Sequence, residues 1–264
     1  MDREASERHL RLLLMVMHGD AQRGVETLNT LRGSVDGLVV MAPQVSGDEL
    51  LGHLPASMPA VLLNCVPDAR HLPRLGIDNA GGAAAMIEHL IGEGRRQLVH
   101  IAGPEGNIDA EERRRGAEQA CARAGVSLTV LPGDFHESSG VAAAERLLAD
   151  GMPTDAIFAA NDMMAIGALM TLRRAGVAVP DRVAVAGFDD IPLARLITPS
   201  LTTASIDIAG FGARAVARLA GMLDGEADAD AELCAPRIVV RESTNRAQAT
   251  INEQQTKVNA GKQS

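Results

Sequence analysis

Short apolar runs alternate with stretches of helical spacing along most of this chain, and that alternation limits its possible folds more than any other feature. The runs are RLLLMVM (11–17), VDGLVVMAP (35–43), AVLLNCV (60–66), QLVHIAGP (97–104), LTVLPGD (128–134), DAIFAAND (155–162) and RVAVAGFDD (182–190). Between most of them lie helical segments, clearest at Ala83–Gly94, Glu111–Gly125, Ser138–Gly151 and Asp162–Gly176. Each has a glycine near its C-terminal end, where a left-handed residue closes a helix without steric cost. Strands that are apolar throughout cannot turn one face to water, so they belong in a parallel sheet covered by helices on both sides. The pattern predicts an α/β protein of the doubly wound kind.

Composition removes several function classes. The 264 residues are enough for one large domain or two modest lobes, and 46% of them are hydrophobic. No apolar run approaches the roughly 20 residues of a membrane span. The charged start, MDREASERHL, is not that of a secretory signal. Net charge is −9 with no long Lys/Arg stripe, a poor match to a phosphate backbone. The three cysteines, Cys65, Cys121 and Cys234, have no metal-like spacing and apolar or small neighbours. They are expected to be buried, reduced thiols of a cytoplasmic protein. The seven histidines are scattered, so no metal site is predicted. Neither a nucleophile elbow nor a phosphate-binding glycine loop follows a strand. With no catalytic constellation in view, neither an enzyme nor a cofactor is expected.

The strand ends carry the remaining information. In an open parallel sheet, ligands bind outside the carboxyl ends of the strands. At those ends stand Asn64, Gly103-Pro104, Asp134-Phe135, Asn161-Asp162 and Asp189-Asp190. Such Asn and Asp residues either cap the following helix or contact a ligand. Capping suits Asp162 at least as well as contact, whereas Asn161 and Asp189 are read as ligand contacts. Neighbouring residues leaving a strand point to opposite sides. Asp189 and Asp190 are therefore not a carboxylate dyad, which would need two carboxyls facing each other across about 5–10 Å.

The stretch VPDRVAVAGFDDIPLARLITPSLTT (179–203) resembles a signature of the lactose-repressor/galactose-repressor family of bacterial transcription regulators. The segments VDGLVVMAP, PAVLLN, IDNAGGAAAMIEHLIGEGRRQLVHIAGP, GDFHESSG, PTDAIFAANDMMAIGALMTLRRAG and IVVRES resemble it too, in family order over roughly residues 11–244. The resemblance implies a two-lobed, periplasmic-binding-protein-like fold, each lobe a parallel sheet flanked by helices, with a small ligand held between the lobes. It places the N-terminal lobe at 1–78 with 206–235, the C-terminal lobe at 79–205 with 236–244, and a polar tail at 245–264. It also implies that the first strand of the N-terminal lobe and the helix-turn-helix head are missing, so that operator DNA would be met only through a head outside this chain.

Family ligand contacts carry over to Asn64, Arg113, Phe135, Asn161, Asp189 and Ile206. Arg113, three before Gly116, would fork onto hydroxyls or a carboxylate, while Arg114 and Arg115 form a solvated face. Phe135 would pack on a ligand ring in a chain with four Phe and neither Trp nor Tyr; Phe188 is expected in the core. Asn64 stands where Asp is commoner. The apolar Ile206 and Ile208 argue against a large disaccharide and leave a monosaccharide, a sugar acid or another small metabolite. The implied partners are that effector and a second copy of the chain. The apolar helix 163–176 is either a dimer surface or an ordinary core helix. The alternative function is that of a periplasmic-type sugar-binding protein of a transport system.

Overall fold

The computed structural model describes residues 1–14, 33–41, 58–64, 72–226 and 231–245. It divides into two compact units, Met1–Asp78 with Asp207–Cys234, and Asn79–Ile206 with the residues from Ala235 onward. In the smaller unit, β1 (Leu38–Met41), β2 (Ala60–Leu63), β3 (Arg74–Ile77) and β9 (Ala231–Cys234) form a parallel sheet in that order. The short helix α1 (Asp2–Glu7) and the longer α6 (Ile208–Leu223) belong to the same unit. Phe211 and Ala215 of α6 pack on Val61, Leu63 and Leu75 to make its core.

The larger unit holds a six-stranded sheet in the order β10-β8-β7-β6-β4-β5. Its strands are β4 (Gln97–Ile101), β5 (Ser127–Leu131), β6 (Ala156–Ala159), β7 (Ala184–Asp189), β8 (Thr202–Ser205) and β10 (Arg237–Val239), and only β10 runs antiparallel to its neighbour. Four helices flank it: α2 (Asn79–Gly92), α3 (Ile108–Ala124), α4 (Glu137–Ala149) and α5 (Asp162–Arg174). The two-residue period of the strands sorts their side chains between two cores. Val99, Ile101, Ile157, Ala159 and Val185 join the core under α4 and α5, and Leu98, Ala156, Phe158, Ala184, Ala186 and Phe188 join the one under α2 and α3. Burial on both faces is the reason these strands read as unbroken apolar runs.

Glycine sets how closely the helices approach. A Cβ on Gly140 of α4 would overlap the carbonyl of Met164 on α5, and one on Gly167 of α5 would overlap that of Glu137. Three helices start upstream of the expected positions, α2 at Asn79, α3 at Ile108 and α4 at Glu137, whereas α5 starts at Asp162 as expected. Asn107 accepts from the Ala110 N–H (3.1 Å), so α3 begins at Ile108 rather than Glu111.

Four strands escaped the apolar pattern: β3 (RLGI), β8 (TTAS), β9 (AELC) and β10 (RIV). The hydroxyls of β8 are tolerated because the Arg241 carbonyl (3.1 Å) and the Thr244 hydroxyl (2.8 Å) meet that of Thr202, and Asp162 Oδ1 (2.6 Å) that of Thr203. The Ser243 Oγ accepts from the Thr202 N–H (2.8 Å) and donates to the Val185 carbonyl (2.6 Å), while the Val185 N–H donates to the Ser243 carbonyl (3.0 Å). Of the expected strand at 11–17, residues 11–14 have no regular structure and 15–17 lie outside the described residues, as do Cys65 and 246–264 of the tail. Cys121 is buried as expected, but Cys234 is half-exposed because it ends an edge strand, where it accepts from Arg214 Nη2 (2.9 Å). Nearly every side of α5 is buried within the unit, with Met163 exposed, which matches the core-helix reading of this segment.

Candidate functional site

Four of the six expected ligand residues come together at the carboxyl edge of the larger sheet. Arg113 reaches this edge from α3 and is almost fully buried. Its Nε donates to Asn79 Oδ1 (2.8 Å) and its Nη1 to the Ala160 carbonyl (2.6 Å). Nη1 also lies 3.2 Å from Asp189 Oδ1 at the end of β7. Its guanidinium carbon sits 3.8 Å from the centroid of the Phe188 ring and 6.0 Å from that of Phe135. Phe188 is therefore core, as expected, and also the platform on which the cation lies. Nη2 makes no hydrogen bond or ion pair among the described residues, so two N–H donors of the fork are uncommitted.

Asp189 keeps 28% of its side chain exposed, and its Oδ2 has no partner among the described residues. Burial raises its carboxyl pKa above the ordinary value, and the facing Arg113 only partly opposes the rise. Asp190 takes a different part, since its carboxylate pairs with Arg241 Nη2 at 2.6 Å, away from Arg113.

Asn161, rather than Asp162, is the cap of α5: its Oδ1 accepts from the Met164 N–H (2.9 Å). Its Nδ2 donates to the Phe135 carbonyl (2.9 Å), tying the β5–α4 loop to this edge. Phe135 is half-buried against the α4–α5 core. Gly103 leaves it room, since a Cβ there would stand 2.5 Å from the ring. Strand register sets Ser205 beside Asp189, and Ile206 follows, half-buried against the α2–α3 core. Asn64 belongs to the smaller unit, where its Oδ1 accepts from the Ile77 N–H (3.1 Å) and bridges β2 to β3.

Backbone strain marks these positions independently. Asn64 (φ 47°), Phe135 (φ 69°), Asp189 (φ 107°) and Asp190 (φ 57°) all lie in the left-handed region. Each such residue costs on the order of 1–3 kcal/mol unless its surroundings impose it. Asn and Asp tolerate that region better than Phe. Three residues read from the sequence as ligand contacts thus occupy strained strand ends.

Of two further polar residues at this edge, Asn79 was not anticipated and Asp162 takes neither of the parts expected of it. Asn79 opens α2 and relays Arg113 to Asp109, donating from Nδ2 to Asp109 Oδ1 (2.8 Å). Its place two residues after a strand was the available signal, hidden because RLGI does not read as one. Asp162 is fully buried and neither caps a helix nor faces solvent. Burial, reinforced by nearby Asp189 and Asp190, pushes its pKa up to about 7 against hydrogen bonds from Thr203 and Ile191. Among the described residues no group of His, Cys, Asp and Glu could hold a metal ion, and no helix is long and apolar enough to cross a membrane.

An arginine, a carboxylate, an amide and an aromatic ring thus stand together at the carboxyl edge of this two-sided sheet. The family model described as "Periplasmic binding protein-like domain" matches residues 87–244. The ribose operon repressor of Escherichia coli K12 is 32% identical over 209 residues, covering 77% of this chain and 63% of that protein. The HTH-type transcriptional repressor PurR of Pasteurella multocida is 30% identical over 220 residues, covering 81% of this chain and 65% of that protein. The crystal structure of the E. coli transcriptional repressor AscG superposes with a TM-score of 0.82 at 28% identity, covering 92% of this chain and 90% of that one. The chain belongs to the periplasmic-binding-protein-like family and, within it, to the lactose-repressor/galactose-repressor regulators. It spans just under two thirds of the length of the two curated relatives.

Proposed function

We propose that this chain is the effector-binding core of a transcription regulator. Its ligand is a small polyhydroxylated molecule, a monosaccharide or sugar acid, read without chemistry being done on it. One observation carries the reading: Arg113 and Asp189 are locked to each other, yet each keeps an unused face, Nη2 on one and Oδ2 on the other. A donor pair beside an acceptor is what vicinal hydroxyls need, because each hydroxyl both donates and accepts. Phe135 and Ile206 offer apolar surface to a sugar's C–H face. Asn64 is an expected contact from the smaller unit. The named relatives favour regulation over transport, since both are repressors. Assembly as a homodimer and action on operator DNA complete the proposal.

The test is a thermal-shift screen of monosaccharides and sugar acids, followed by calorimetric titration of each hit. Asp189→Asn is nearly isosteric and removes a charged hydrogen bond worth about 1.5–3 kcal/mol, so affinity should fall roughly ten- to hundredfold. Asp190→Asn should stay within a few-fold, because that carboxylate faces Arg241. The reverse ranking, or a full screen without a hit, would overturn the assignment.

A further inference from the structure

Asp162 is a carboxylate with no access to solvent and, among the described residues, no cation within ion-pair distance. Such a group is costly to bury, and its contacts all concern one short turn. Its Oδ2 accepts from the Ile191 N–H (2.9 Å) and its Oδ1 from the Thr203 hydroxyl (2.6 Å). Thr203 Oγ1 in turn accepts from the Asp190 N–H (3.2 Å). Both backbone donors directly after Asp189 therefore end on one carboxylate, one directly and one through Thr203. The carboxylate also lies where Gly187 of β7 would carry a Cβ, so the strand itself is shaped around it. This is the turn that holds two successive left-handed residues, with φ of 107° at Asp189 and 57° at Asp190. Aspartate tolerates such angles better than most residues, but two in succession are held in place by their surroundings.

We propose that Asp162 is a positioning residue that sets the direction of Asp189, clamping the Asp190 and Ile191 amides so that the Asp189 carboxylate meets Arg113. The role is indirect, since a ligand cannot touch a fully buried side chain. Asp190 supplies the second restraint on the same turn through Arg241. Without the clamp the turn relaxes toward ordinary backbone angles, and the carboxylate leaves the guanidinium. The inference rests on the reading of Arg113 and Asp189 as ligand contacts only for its bearing on binding; the clamp itself is testable without a ligand.

The experiment is NMR on the full chain, following exchange of the Asp190 and Ile191 amides and the titration of the Asp189 carboxyl carbon. Asp162→Ala should lose about tenfold or more in protection at both amides, the scale of a lost charged hydrogen bond. The Asp189 titration should then shift toward that seen in Arg113→Met, where the pair is gone. Asp162→Asn should restore the parent pattern, because its amide oxygen accepts from Ile191 while its nitrogen donates to Thr203. Thr203→Val, which is close in shape, should release the Asp190 amide and loosen the pair in part. It decides the matter if Asp162→Ala does not fold. An unchanged Asp189 titration in Thr203→Val, or in a folded Asp162→Ala, would overturn the positioning role. A loosened pair with undiminished affinity for a sugar hit would instead count against the ligand reading of Asp189.

Discussion

Replacing Arg113 with methionine removes one cation from an almost dry site and leaves three acceptors behind. Asn79 Oδ1 and the Ala160 carbonyl lose donors at 2.8 and 2.6 Å, and Asp189 loses its counter-charge at 3.2 Å. Each orphaned buried acceptor costs about 1–3 kcal/mol. The lost contact with Phe188 adds up to about 2 kcal/mol for a desolvated cation on a ring. Relaxation recovers part of this, and breaking a buried pair from one side costs about 3–5 kcal/mol, the value expected here. That is a large share of the about 5–15 kcal/mol by which domains are stable. The loss should also depend on pH. Burial already holds the Asp189 carboxyl pKa above its unfolded value, and Arg113 is what restrains it. Without Arg113 the folded value climbs further. A carboxyl raised on folding contributes most below the ordinary carboxylate range and loses that contribution as pH rises toward the folded value. The variant should therefore be penalised more at pH 8 than at pH 5. Arg113→Lys keeps the charge but cannot serve Asn79, Ala160 and Asp189 together, so it should fall between the two. Urea unfolding followed by far-ultraviolet circular dichroism is the assay, because the chain has neither Trp nor Tyr to report by fluorescence. A loss below about 0.5 kcal/mol, the size of an ordinary surface substitution, would refute the buried fork, as would a greater loss at pH 5.

Two further substitutions probe the scaffold. Gly140→Ala sets a methyl against the Met164 carbonyl where α4 meets α5, and should cost about 1–3 kcal/mol in urea unfolding; a neutral result would mean the helices are not that close. His100 is fully buried, donates from Nδ1 to the Phe158 carbonyl (3.0 Å), and is held to a pKa of about 4 by burial. Because its folded pKa lies below the ordinary 6.5, the fold should lose stability as pH falls from 6.5 toward 4. His100→Asn keeps a donor but does not titrate, so its stability gap to the parent should narrow across that window. A constant gap would show that the ring titrates alike in the folded and unfolded chains.

The larger unit was legible where burial is two-sided. Ile157, Phe158, Val183 and Val185 lie in unbroken apolar runs, and the glycines Gly94, Gly125, Gly151 and Gly176 take up left-handed angles beyond the helices they follow. What stayed hidden depends on partners far along the chain. The strand TTAS is polar by composition and becomes interior because the Arg241 carbonyl and Thr244 meet the Thr202 hydroxyl and Asp162 meets that of Thr203. At the site, strand-end position pointed to Asn161 and Asp189 and the family resemblance to Arg113 and Phe135, and their nearness is now visible. Local pattern could not divide the work between Asn161 and Asp162, since either side chain can accept from a helix N–H. The choice is made by Thr203 and Ile191, which draw the aspartate inward. Nor could spacing show that Phe188 lies under the guanidinium of Arg113, because that contact joins two elements only in the folded unit.

The antiparallel strand β10 gives the larger unit a fixed place in the order of synthesis. When a ribosome has released the chain through Ile206, five strands of this sheet exist, but β8 has one bare edge and Val185, Thr202 and Ser200 lack the groups that Ser243 and Glu242 bring. The chain must next produce Asp207–Cys234, which belong to the other unit, before Arg237–Val239 arrive to close the edge. For that interval an apolar sheet with an open side waits in the crowded space near the tunnel exit, where unpaired edges invite misassembly. Nascent chains stalled just past Ile206 should therefore be strong clients for chaperones, and chains stalled past Asn245 should be released from them.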